Sequence, residues 1–387
     1  MGNEGRAGNL VEYVRLLKAQ GIPEKGLKKS IGRYLEQKAR ERGIPISGAF
    51  ELTPLCNLDC KMCYVHLDKH AFATSDLLSV NDWKSLMRQA HDAGMRSAML
   101  TGGECLTYPG FDELYLFLHE LGVGTDVLSN GLLIDEKRVE FFLRNRPQCI
   151  KISLYGSCDD AYEKVTGHRV FQKVYHNLEL MRDAKLPVYV TITPSKYMQD
   201  DMIRLIETAE SLNIRYEINA RLIQPRENTG RIIEDLSLDE YVEMYRLRFQ
   251  YRQKNLVPID PKEVPLENHG GSEKRGLRCG AGQSSFSINY FGCMCPCLSL
   301  DEFSVSALKF GFQAAWKMVN EYAVNYPAPC ECDGCVYRPV CINCQAMHKN
   351  APQVGHCDPR ICERTKRLTQ EGFLIYRDPA KSGETVE

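Results

Sequence analysis

The segment AFELTPLCNLDCKMCYV, Ala49 to Val65, decides the reading of this chain. AFELTP has the composition of a strand. It runs into three cysteines, Cys56, Cys60 and Cys63, at C-x3-C-x2-C spacing, with an aromatic residue, Tyr64, directly after the last. Working outward, the pattern repeats. SVNDWKSLMRQAHDAG reads as a helix, with Ser79 or Asn81 as N-cap and Gly94 as its stop. SAMLT, GTDVLSN, CIKISLYG, PVYVTITP and RYEINAR read as strands, and FDELYLFLHELG, DEKRVEFFLRN, VFQKVYHNLELMRDA and MIRLIETAESLN as the helices between them. Six strands alternating with five helices predict βα repeats around a parallel sheet. Six fall short of a full eight-stranded barrel. The fold class expected is α/β, a partial (β/α)6 TIM-like barrel. In such a barrel ligands bind beyond the carboxyl ends of the strands, so the cysteine loop sits on the functional face.

The 387 residues carry a formal net charge of −1, with 43% hydrophobic and 26% charged residues. That balance is ordinary for a globular protein and gives no global pull toward nucleic acid. No run approaches the 18 apolar residues of a membrane span. The start, MGNEGRAGNL, has neither a secretory apolar core nor the Ser or Thr of a myristoylation signal. A cytoplasmic protein without a membrane partner is expected. In a reducing compartment, 17 cysteines at short spacings read as metal or iron–sulfur ligands rather than disulfides. Eleven of them lie between Cys279 and Cys362, which marks a cysteine-rich C-terminal domain. The expected organisation is a helical segment over 1–47, the barrel over 48–222, a helical linker over 223–276, the cysteine-rich domain over 277–365 and a tail over 366–387.

Three thiolates are one short of a structural zinc site. A four-iron cluster has four corners, usually one thiolate each, so three thiolates leave one iron open. A three-thiolate zinc site completed by a distant ligand is the alternative. The second strand ends in TGGECL, Thr101 to Leu106. Gly102 and Gly103 let the backbone approach a ligand closely, and Glu104 can pair with an ammonium. LSNG and ISLYG end the third and fourth strands and point Ser129, Asn130 and Ser153 into the same mouth, turn and cap chemistry being their other reading.

Downstream, Cys279, Gly292 and Cys297 give C-x12-G-x4-C. Cys332, Cys335, Cys341 and Cys344 give C-x2-C-x5-C-x2-C, and Cys357 and Cys362 close the run. A zinc-ribbon-like domain suits such pairs as well as iron–sulfur clusters do. Cys105, Cys149, Cys158 and Cys330 read as ordinary thiols.

The cysteine loop with its trailing aromatic, after the first strand of a βα barrel, resembles the radical S-adenosylmethionine (SAM) superfamily. The later cysteines resemble its SPASM extension, found in peptide- and protein-modifying members. The resemblance spans roughly residues 49–362. It implies a [4Fe-4S] cluster on Cys56, Cys60 and Cys63 whose open iron chelates SAM, reductive cleavage to a 5′-deoxyadenosyl radical, and hydrogen abstraction from substrate. It assigns the SAM amino group to Gly102, Gly103 and Glu104, the ribose and carboxylate to Ser129, Asn130 and Ser153, the carboxylate also to Arg169, and the adenine to Tyr64. It also implies two auxiliary [4Fe-4S] clusters. One would use Cys279, Cys297 and Cys344; Ser285 stands where some relatives supply a fourth ligand, so either Cys295 or Cys293 fills in or one iron is open to a substrate thiolate. The other would use Cys332, Cys335, Cys341 and Cys362, with Cys357 the rival for the last place. The sequence departs from the family at Cys105, where Pro is usual, at Ser285, and in the x2 rather than x3 spacing before Cys344. The partners implied are a peptide or protein substrate and an electron donor such as flavodoxin or ferredoxin. The leading expectation is an oxidoreductase that makes a thioether, a C–C crosslink or an epimerised centre in a ribosomally made peptide. The alternatives are a sulfatase-maturing (formylglycine-forming) enzyme, a non-peptide radical dehydrogenase and a non-catalytic iron–sulfur electron carrier.

Overall fold

Short apolar strands with alternating burial, each followed by an amphipathic helix, build the sheet that positions the cysteine loop. The computed structural model describes residues 10–19, 24–65, 77–219, 222, 233–255, 276–327, 329–333, 335–338, 341, 344–350 and 355–374. Helices α1 (Leu10–Ala19) and α2 (Glu24–Arg42) lead into β1 (Ser47–Glu51). Then follow α3 (Val80–Asp92), β2 (Ser97–Thr101), α4 (Phe111–Glu120), β3 (Gly124–Ser129), α5 (Glu136–Arg144), β4 (Cys149–Ser153), α6 (Asp159–Thr166), α7 (Phe171–Asp183), β5 (Val188–Ile192), α8 (Met202–Ser211) and β6 (Arg215–Ile218). All six strands pair in parallel in chain order. The predicted partial barrel is present, as an α/β structure with a cysteine-rich C-terminal region.

The helices bury one face each, as their periodicity predicts. Trp83, Leu86, Met87 and Ala90 do so on α3, and Val174, Leu178 and Met181 on α7. Ser79, not Asn81, caps α3, because its hydroxyl accepts from the Asp82 N–H while the Asp82 carboxylate accepts from the Ser79 N–H. Helix α6 was not among the five expected; its eight residues, DDAYEKVT, are too few to display a period.

Beyond α9 (Leu238–Asn255), the chain returns to the same sheet. Strand β7 (Ser285–Ile288) pairs in parallel with β1, Ser47 opposite Ser285 and Phe50 opposite Ile288. Strands β8 (Cys293–Cys295) and β9 (Val305–Ser306) continue it antiparallel. An aromatic cluster seals this join. Phe286 meets Phe50 edge-on with centroids 5.8 Å apart, and meets Phe312 at 5.0 Å. Such pairs contribute about 0.5–1.5 kcal/mol each beyond burial. Helices α10 (Ala307–Phe310), α11 (Phe312–Asn325) and α12 (Pro359–Gln370) complete the chain. Trp316 of α11 donates its indole N–H to the Gly43 carbonyl at 2.7 Å, tying the N-terminal helices to the C-terminal part. On α12, the buried Arg364 pairs with Asp235 at 2.9 Å and stacks on Tyr241 of α9. No helix among the described residues is long and apolar enough to cross a membrane.

Candidate functional site

The loop after β1 is locked to the loop after β2 by backbone bonds. Gly103 N–H donates to the Thr53 carbonyl at 2.7 Å, and Glu104 N–H to the Leu55 carbonyl at 2.9 Å. The glycines are needed for this approach. A Cβ on Gly102 would stand 2.5 Å from the Thr53 oxygen, and one on Gly103 2.5 Å from the Leu55 oxygen. The partner they admit is thus the backbone leading into the cysteines, where a ligand was expected. From the other side, Asp59 and Lys61 donate their N–H groups to the carbonyls of Thr166 and Val165 at the end of α6. The loop that presents Cys56, Cys60 and Cys63 is held from two directions.

Glu104 is fully buried and acts as a hub. Its carboxylate accepts from the Asn130 N–H at 2.7 Å, from Ser129 Oγ at 3.1 Å and from the Leu106 N–H at 3.1 Å. Burial raises its pKa, while these donors pull it back. Asn130 extends the network: its side-chain amide donates to Asn57 Oδ1 at 2.6 Å and lies 3.8 Å from Cys56 Sγ. Four of the expected site residues, Glu104, Ser129, Asn130 and Cys56, therefore meet. Asn57, absent from the sequence expectation, joins them; a polar residue directly after a cysteine in a tight loop was its only signal. Cys105, which stands where Pro is usual, donates its thiol to the Leu128 carbonyl at 3.1 Å.

Tyr155, two residues beyond the end of β4, lies within electrostatic reach of Ser153 and Cys60. Tyr64 follows the loop and is half-buried. Arg169 is exposed, and its guanidinium pairs with Asp160 and Glu163 of α6. It is thus committed to surface carboxylates.

The three thiols fit an iron cluster. They lie close enough that charge on one raises the pKa of another. Burial pushes Cys56 up to about 11 and Cys60 higher still. Such thiols ionise only if a bound cation compensates, as a coordinated metal does.

The distant cysteines gather into two groups. Cys279 and Cys297 each feel the charge of Cys344, and burial first, then Cys344, pushes Cys297 up to about 12. Gln345, next to Cys344, accepts from the Arg278 N–H at 2.6 Å and donates to the Gly276 carbonyl at 3.1 Å. This clamp brings Cys344 beside Cys279 despite the shorter spacing. In the second group, Cys332 feels Cys341, Cys335 and Cys362. Cys357 Sγ lies 3.5 Å from Cys362 Sγ, so both candidates for the last place reach this group. Cys295 is buried in β8 with its thiol directed at the Ser287 carbonyl, 3.7 Å away. Cys293, opposite Ser306 of β9, is raised by burial alone. Arg278 is packed against the second group, donating to the Arg338 carbonyl at 2.7 Å and facing Cys341 and Cys332.

Known proteins resemble this chain in sequence or in fold. The Bacillus subtilis (strain 168) antilisterial bacteriocin subtilosin biosynthesis protein AlbA is 23% identical over 88% of this chain and 76% of its own. Streptococcus suis SuiB bound to S-adenosylmethionine superposes with a TM-score of 0.64 at 16% identity, covering 91% of this chain and 87% of that one. The anSMEcpe structure with bound AdoMet gives a TM-score of 0.68 at 17% identity, covering 85% and 97%. Residues 50–209, from β1 into α8, match the model of the Radical SAM superfamily.

Proposed function

We propose that this protein is a radical SAM enzyme that modifies a ribosomally made peptide, with auxiliary iron–sulfur clusters in its C-terminal part. The observation that carries the reading is a buried carboxylate, Glu104, wired through Asn130 to the thiol of Cys56. A simple electron carrier needs its thiols but has no use for that carboxylate beside an incomplete set of them. AlbA, a bacteriocin biosynthesis protein, and SuiB, whose fold is also known bound to precursor peptide SuiA, support a peptide as substrate.

In this reading Cys56, Cys60 and Cys63 hold the cluster. When loaded, cluster and SAM together supply one-electron chemistry strong enough to break an unactivated C–H bond. The protein's residues bind, orient and exclude water. Glu104 offers a carboxylate to the SAM ammonium, and Ser129 and Asn130 set its direction. Gly102 and Gly103 keep the two loops in register, Ser153 and Tyr155 brace Cys60, and Tyr64 flanks the adenine. Cys279, Cys297 and Cys344 hold one auxiliary cluster. Cys332, Cys335, Cys341 and Cys362 hold the other, with Cys357 beside it. A flavodoxin or ferredoxin delivers the electron.

Two measurements test this. Reduced, cluster-loaded protein is expected to release 5′-deoxyadenosine from SAM; none would refute an enzyme of this family. Co-expression with candidate precursor peptides, read by mass spectrometry in deuterated medium, is expected to show a loss of two hydrogens or a labelled stereocentre. Intact 5′-deoxyadenosine release with every peptide unchanged would remove the maturase reading and favour the formylglycine-forming alternative.

A further inference from the structure

Outside both thiol groups, three donors of different chemistry converge at the surface. Cys330 Sγ lies 3.4 Å from His356 Nδ1, and Glu331 Oε1 lies 2.5 Å from the same nitrogen. All three atoms fall within 4.8 Å of one another. The geometry points to a separate mononuclear site at Cys330, Glu331 and His356 for a divalent ion of the zinc type, with water in the fourth position. This assignment is independent of the radical chemistry.

Three observations support it. First, zinc bonds of about 2.3 Å to sulfur and about 2.0 Å to nitrogen, set at a tetrahedral angle, put the two donors roughly 3.5 Å apart. The separation of Cys330 and His356 already matches that edge. The Glu331 contact is a hydrogen bond, and an ion at the centre would replace the shared proton and open it. Second, the two loops are held in place by bonds that do not involve the donor atoms. Cys330 N–H donates to the Gly355 carbonyl at 3.2 Å, and Cys357 N–H to the other Glu331 oxygen at 3.1 Å. Gly355 makes the turn into His356 with φ of +81°, a conformation that favours glycine. Third, Cys330 and Glu331 are exposed and His356 is half-buried, which leaves one side open to solvent, as three protein ligands plus water require. The ion would clamp the segment entering Cys332 to the segment entering Cys357, bracing the second thiol group from outside. Cys330, which reads as an ordinary thiol in the sequence, becomes a ligand.

The test uses the full chain, iron-loaded under anaerobic conditions, equilibrated with micromolar zinc and desalted. About one zinc per chain is expected, with a zinc-edge absorption spectrum of one sulfur near 2.3 Å and the remaining neighbours nitrogen or oxygen. Cys330→Ser and His356→Ala should each lower zinc retention at least tenfold at unchanged iron content. No zinc on the parent protein, a four-sulfur shell, zinc retained by both variants, or iron lost from Cys330→Ser would each overturn the assignment. If a variant does not fold, the parent protein's stoichiometry and sulfur count decide alone.

Discussion

Replacing Gly103 with alanine adds a single methyl group at the junction that presents the cysteines. The new Cβ would stand 2.5 Å from the Leu55 oxygen, 2.6 Å from the Pro54 oxygen and 2.7 Å from the Leu55 carbon. These are backbone atoms of the segment leading to Cys56, so no side chain can swing aside. Ordinary contact begins near 3.4 Å, and the two loops must part by about 0.9 Å. Overpacking of this kind costs about 1–3 kcal/mol. The same shift stretches the bond from Glu104 N–H to the Leu55 carbonyl. Misplacing reacting groups by about 1 Å can cost about 10²-fold in rate. The expected result for Gly103→Ala is a loss of about 1–3 kcal/mol in urea unfolding and a fall of about tenfold to a hundredfold in 5′-deoxyadenosine release, with the iron of the C-terminal groups retained. A variant with the parent's unfolding midpoint and rate would refute the claim that the two loops touch through this glycine.

Gly32 provides the contrast: it lies in α2 with nothing within 4 Å of an added Cβ, so Gly32→Ala should stabilise the protein to thermal unfolding by about 0.5–1 kcal/mol. Arg169→Gln should change 5′-deoxyadenosine release by less than about twofold, because its partners are exposed carboxylates and such solvent-screened pairs contribute little; a hundredfold loss would return Arg169 to the SAM site. Arg278→Met removes a half-buried cation facing Cys341 and Cys332, so the cluster proposed on those thiols should become harder to reduce. An EPR-monitored redox titration that finds its midpoint potential unmoved, at full iron content, would contradict that reading.

Local pattern carried much of this molecule. The six parallel strands were legible because each alternates or runs apolar between turn residues, and the site was legible because chemically loud residues sit at strand ends. The x2 spacing before Cys344 did not reveal that Gln345 clamps the backbone beside Cys279. Other features were hidden for physical reasons. Helix α6 is too short to show a period, although it braces the cysteine loop. The pairing of β7 with β1 depends on which edge a strand finds, and a period of two says nothing about its neighbour. The glycines of TGGECL signalled a close approach but not its partner. Cys330 and His356 are remote in sequence, and only the folded loops bring them together.

The pairing of β1 with β7 also bears on how the chain is made. As synthesis proceeds from the N-terminus, β1 emerges early, and its free edge waits for a partner encoded far downstream. Until Ser285–Ile288 has been translated, Phe50 lacks the ring of Phe286 and the backbone of β1 offers unpaired groups to any passing strand. A fragment cut between the barrel and the cysteine-rich part would inherit that open edge permanently, so it should aggregate on expression where the whole chain does not.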